Sequence, residues 1–166
     1  MAGLSMKVVH HDIKKLETEA VIVGFYEDVR PLKGTAGELD WLLCGALSHL
    51  VIDGKLRGTL GEVALLTSQG KIPAPKIFML GLGSKQQRTP ESLRIAARTA
   101  AVSALGAGVT SAALEYFTVF SPEDEANLRA LQEGLGEGAG GQDLAISVVA
   151  QDAATYEKLS RLIQAK

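Results

Sequence analysis

Two short apolar runs, residues 62–67 and 76–82, constrain this chain more than any other feature. Each is rich in Val, Ile, Leu or Phe and is bounded by Gly, Pro or Ser. Runs of that length with such flanks read as strands buried on both faces. The second run ends in Gly81-Leu82-Gly83 and passes through a polar loop to Thr89-Pro90-Glu91. A threonine N-cap followed by proline at the first helical position starts a helix. The centre of the chain is therefore strand, glycine-containing turn, helix. In open α/β sheets that arrangement places ligands beyond strand ends.

At 166 residues with 46% hydrophobic content, the chain fits one domain spanning residues 1–166 and can bury a core without staples. Its net charge is −2, and no basic cluster is interleaved with aromatic residues, so nucleic acid is not an expected partner. Cys44 is the only cysteine, which excludes an internal disulfide and a cysteine-based zinc site. No apolar run reaches membrane-spanning length and the first residues lack a signal-peptide core, making the cytoplasm the expected location.

Along the chain, residues 6–10 and 19–25 read as strands. Thr35 and Glu38 have capping-box spacing. Leu39, Leu42, Leu43, Ala46, Leu47 and Leu50 then form one helical stripe that ends at Asp53-Gly54. After the two central strands, an alanine-rich helix runs from Pro90 to Gly106 or Gly108. Residues 111–119 read as a strand, and residues 122–135 as a helix behind Ser121 and Pro122. The glycine density from Gly134 to Gly141 predicts a flexible connector. Residues 144–150 form the last strand, and Asp152 caps a final helix.

The order β-β-α-β-β-α-β-α-β-α predicts an α/β fold. It is a three-layer α/β/α sandwich with a mixed, mostly parallel sheet of about six strands, the directly joined strands giving some antiparallel pairing.

With these elements placed, the chain resembles the N-terminal domain of the leucine aminopeptidase (M17) family. The resemblance rests on Leu39-Asp40, Gly45-Ala46-Leu47, Gly58-Thr59-Leu60-Gly61-Glu62, the 75–83 stretch, and Glu91-Ser92-Leu93-Arg94 with its alanine-rich continuation. It covers residues 19–116 and implies a macro-domain-like fold. It also implies that catalysis belongs to a second domain, which holds two metal ions and the signature Asn-Thr-Asp-Ala-Glu-Gly-Arg. The single asparagine here, Asn127, is followed by Leu128, so no catalytic or metal-binding residue carries over. The implied function is that of a non-catalytic, stand-alone relative acting in binding, assembly or regulation, needing no cofactor. Its implied partner is a second copy or a full-length aminopeptidase. The alternatives are macro-domain-type binding of ADP-ribose or a related nucleotide, and a fragment or subunit of such a peptidase.

Individual residues add little chemistry. Glu17, Glu19, Glu27, Asp28, Glu38, Asp40 and the run Glu123-Asp124-Glu125 read as solvated or capping carboxylates. His10 and His11 alternate across a strand end, which points the two imidazoles apart. His49 reads as a partly buried helix residue, Cys44 as a small buried hydrophobe in mid-helix, and Trp41 as packing at the helix edge or at a subunit contact. Gly81, Leu82, Gly83 and Ser84 are the candidate ligand-binding positions, set against a plain tight turn out of a central strand.

Overall fold

The computed structural model describes residues 3–116 and 124–164. Six strands form one sheet in the order β1-β6-β5-β2-β4-β3. They are β1 (Leu4–His10), β2 (Ala20–Phe25), β3 (Val63–Thr67), β4 (Lys76–Gly81), β5 (Ser111–Glu115) and β6 (Leu144–Ala150). All run parallel except β3, which pairs antiparallel with β4 at one edge. The direct join of β3 to β4 thus produces a hairpin. The join of β1 to β2 does not, because β6 and β5 lie between them.

β-branched and aliphatic residues alternate across the sheet and feed two cores. Ala20, Ile22, Phe78, Leu80, Leu114 and Val148 face one side, where α3 (Pro90–Gly106), α4 (Asp124–Ala139) and α5 (Ala153–Gln164) pack. Val21, Val23, Phe25, Ile77 and Met79 face the other, under α1 (Gly34–Leu42) and α2 (Ala46–Ile52). The strands are as expected, with one correction. β3 is an edge strand, so Leu65 is half exposed and the run is not buried on both faces.

Three further expectations fail for identifiable reasons. The single helix over residues 39–50 is two helices, because Cys44 and Gly45 adopt φ values of 57° and 83°. That left-handed pair breaks the hydrogen-bond ladder and turns Cys44 outward, so it is exposed instead of buried. Trp41 is 80% exposed just ahead of the break, and His49 on α2 is exposed rather than partly buried. The Thr35 capping box does not form. Lys33 is the N-cap, its side chain caps nothing, and Thr35 is already helical. By contrast Thr89 does cap α3, accepting from the Ser92 N–H at 3.1 Å while the Ser92 hydroxyl accepts from the Thr89 N–H.

The glycine connector is absent: α4 continues through Gly134, Gly136 and Gly138 to Ala139. A Cβ on Gly134 would lie 2.2 Å from the Arg94 carbonyl oxygen, and one on Gly138 2.5 Å from that of Arg98. Here glycine is selected by contact with the α3 backbone, which outweighs its poor helix propensity. Asp124, expected to be a solvated or capping carboxylate, lies in the first turn of α4 but is fully buried. It accepts a 2.6 Å hydrogen bond from the Tyr116 hydroxyl and lies 3.3 Å from Lys158 Nζ on α5. The expected N-cap Ser121, the N1 proline Pro122 and the end of the strand at 117–119 lie outside the described residues.

Candidate functional site

Two neighbouring strands whose following connections diverge leave a crevice at their carboxyl ends. In this sheet the divergence falls between β5, followed by α4 and β6, and β2, followed by α1, α2 and the β3–β4 hairpin. The strand ends there are Glu115 and Phe25.

Two cavities flank this point and share Gly34, Thr35 and Glu115 in their walls. The outer one, about 610 Å³, is lined by His10, His11, Asp12, Lys14, Glu38 and Gln151 among others. The inner one, about 280 Å³, is walled by Phe25, Tyr26, Val29, Leu32 and Leu82, with Lys33 and Lys85 at its rim.

Glu115 dominates the site. It ends an otherwise apolar strand on the α1 side of the sheet, and only 9% of its surface is exposed. Burial pushes its carboxyl above the ordinary range, and the negative Glu38 adds to the effect. Hydrogen bonding to Thr35 and Gln151, with the positive charge of Lys14, pulls the other way. Its Oε2 has no hydrogen-bond partner among the described residues.

Lys14 ties the outer cavity together, 2.9 Å from Asp12 and 2.7 Å from Glu38. Those hydrogen bonds, Glu38 first, raise the Lys14 pKa. The same lysine is the main cause holding Asp12 below its usual value. His10 stacks on Tyr156 of α5 with ring centroids 6.1 Å apart. Among the described residues no group of three His, Cys, Asp or Glu is arranged to hold a metal ion.

The four candidate positions 81–84 are placed differently from one another. The N–H groups of Gly81, Leu82 and Gly83 each donate to a main-chain carbonyl, of Glu62, Phe25 and Gly58 respectively. A Cβ on Gly81 would lie 2.1 Å from the Thr59 carbonyl oxygen, so residues 58–61 lie directly against this turn. The Ser84 hydroxyl donates to Asp28 at 2.9 Å. Of the four, Leu82 lines the inner cavity. The residues that sequence reasoning passed over are Glu115, Thr35 in its actual role, and Gln151. One signal was available: a lone carboxylate inside the apolar run SAALEYFTV is a buried charge awaiting a reason.

The mixed sheet with its cleft at the strand ends defines a macrodomain-like α/β fold. An Oceanobacillus iheyensis macrodomain with ADP superposes with a TM-score of 0.76, at 19% identity, over 97% of this chain and 93% of that one. A tomato leucine aminopeptidase variant superposes at 0.71 and 15% identity, over 98% of this chain and 36% of the other. In sequence, residues 22–143 match the cytosol aminopeptidase family, N-terminal domain. The chain belongs to that family. A probable cytosol aminopeptidase of Geobacter sulfurreducens is 38% identical over 95 residues, which are 57% of this chain and 19% of the relative. One from Alkaliphilus oremlandii is 29% identical over 91 residues, or 55% and 18%. The matched part is thus about a fifth of the curated relatives' length. No helix among the described residues is long and apolar enough to cross a membrane.

Proposed function

We propose that residues 1–166 work as one macro-like, non-catalytic domain that binds an aminopeptidase of its own family, assembling with it or regulating it in the cytoplasm. The observation that carries this reading is the family match across residues 22–143. The superposition on 36% of a leucine aminopeptidase chain supports it. Trp41 and Ile52, 80% and 78% exposed on α1 and α2, supply apolar surface of the kind protein partners cover. Mixing the purified chain with a family aminopeptidase and following sedimentation and peptidase rate together tests the reading. A complex and an altered rate are expected, both weakened by Trp41→Ala. Independent sedimentation with an unchanged rate overturns it.

A second reading is macrodomain-type binding of ADP-ribose or a related nucleotide. The cleft at the strand ends favours it, since similar folds include a macrodomain with ADP and a Trypanosoma brucei macrodomain in complex with ADP-ribose. A thermal-shift titration with ADP-ribose, AMP and NAD tests it: a saturable rise in Tm supports the reading, and no shift at millimolar ligand ends it.

A further inference from the structure

The inner cavity brings together two features that a single charged ligand cannot satisfy. One is Glu115, nine-tenths buried, with an oxygen that has no hydrogen-bond partner among the described residues. That oxygen is itself enclosed, and the carboxylate lines the cavity as a whole. A buried carboxylate with open acceptor capacity is completed by a donor carrying positive charge.

The other feature is the start of α1. Its first helical bond runs from the Gly37 N–H to the Lys33 carbonyl at 3.3 Å, and Lys33 contributes no side-chain cap. The N–H groups of Gly34, Thr35 and Ala36 therefore precede the helical ladder, and a helix start of this kind favours an anion. Gly34, Thr35 and Glu115 line the same cavity. A simple anion meets the Glu115 charge, and a simple cation leaves the N–H groups unmet.

We propose that this cavity binds a free α-amino acid with an apolar side chain. The ammonium sits on Glu115, the carboxylate on the N–H groups opening α1, and the side chain against Phe25, Val29, Leu32 and Leu82. Lys33 and Lys85 at the rim favour the carboxylate end. At about 280 Å³ the cavity lies near the roughly 300 Å³ lower limit for small-molecule sites. The proposal concerns the chain's own ligand; it is independent of the partnership and competes with the nucleotide reading for the same cleft.

Calorimetric titration of the purified chain with L-leucine tests it, alongside leucinamide, which keeps the ammonium, 4-methylpentanoate, which keeps the carboxylate, and ADP. Saturable leucine binding is expected, with each one-charge analogue at least about tenfold weaker, since a charged hydrogen bond contributes that much. Glu115→Gln is expected to weaken leucine binding by a similar factor without lowering Tm. If that variant does not fold, the comparison of analogues on the unaltered chain decides. Absence of leucine binding overturns the proposal, as does leucine binding undiminished in Glu115→Gln. Equal binding of an analogue also overturns it, and ADP binding without leucine assigns the cavity to the nucleotide reading instead.

Discussion

The two faces of the sheet are built on opposite terms. On one, α3 and α4 approach so closely that their contact is made of alanine, glycine and main chain, with Gly134 over the Arg94 carbonyl and Gly138 over that of Arg98. Leu128, Leu131, Leu135 and Leu159 complete a buried apolar core there. On the other face α1 is short, and α2 begins after a left-handed turn. At the end of β5 a carboxylate, Glu115, is buried beside two cavities. The first face is optimised for packing, and its buried carboxylate, Asp124, is paired with the Tyr116 hydroxyl and Lys158. The second keeps a buried carboxylate with an oxygen unpartnered among the described residues, which costs stability and is the usual mark of a site that serves something other than folding.

The comparison is broken most directly at α4. Gly134→Ala is expected to destabilise by about 2–3 kcal/mol in urea denaturation, because the added Cβ overpacks a backbone contact that cannot yield. Gly138→Ala should behave alike. An increase in stability for either would mean that the helices are not in contact as described.

On the cleft face the sign reverses. Glu115→Gln is expected to raise stability near neutral pH by on the order of 1 kcal/mol, since it removes a desolvated charge. Burial places the folded Glu115 pKa above its ordinary value of 4.5. The folded chain therefore holds this proton to higher pH than the unfolded chain does. The resulting stabilisation is full below about 4.5 and is lost as pH rises through the folded value. Stability measured against pH should show that decline in the unaltered chain and a flatter curve in the variant.

Thr89→Ala, which removes the α3 cap, should cost about 1 kcal/mol, again read by urea denaturation. The smallest effect sharpens the first. A Cβ on Gly136 meets nothing within 4 Å, so Gly136→Ala should stabilise by about 0.5–1 kcal/mol through helix propensity alone. Opposite signs at positions 134 and 136 would separate close packing from propensity within one helix.

Much of the fold was legible because its signals are local. The run at 76–82 is apolar on both faces and bounded by punctuation, and it became the interior strand β4. Thr89-Pro90 marked the α3 start to the residue. The stripe from Leu39 to Leu50 was read correctly as helix-forming, but its interruption depends on the φ angles of Cys44 and Gly45, which apolar periodicity does not encode. Of the candidate site, Leu82 is the one position among 81–84 that lines the inner cavity. The chemistry of the site was not legible, because Glu115 at the end of β5 meets Thr35 of α1 and Gln151 just beyond β6 only in the folded chain.

By itself the sequence determined element types, their order, the mixed three-layer architecture and the family resemblance. The first three follow from short-range periodicity, capping and turn chemistry, and the resemblance rests on the residue motifs at 39–47, 58–62, 75–83 and 91–94. Tertiary structure decided what each exception is for. A glycine-rich stretch is helical, with Gly134 and Gly138 set where another helix leaves no room for side chains. An edge position left β3 half exposed, and neighbouring strand ends turned one glutamate into the centre of a cleft. Burial and close approach are properties of pairs of residues distant in sequence, and those pairs exist only once the chain has folded.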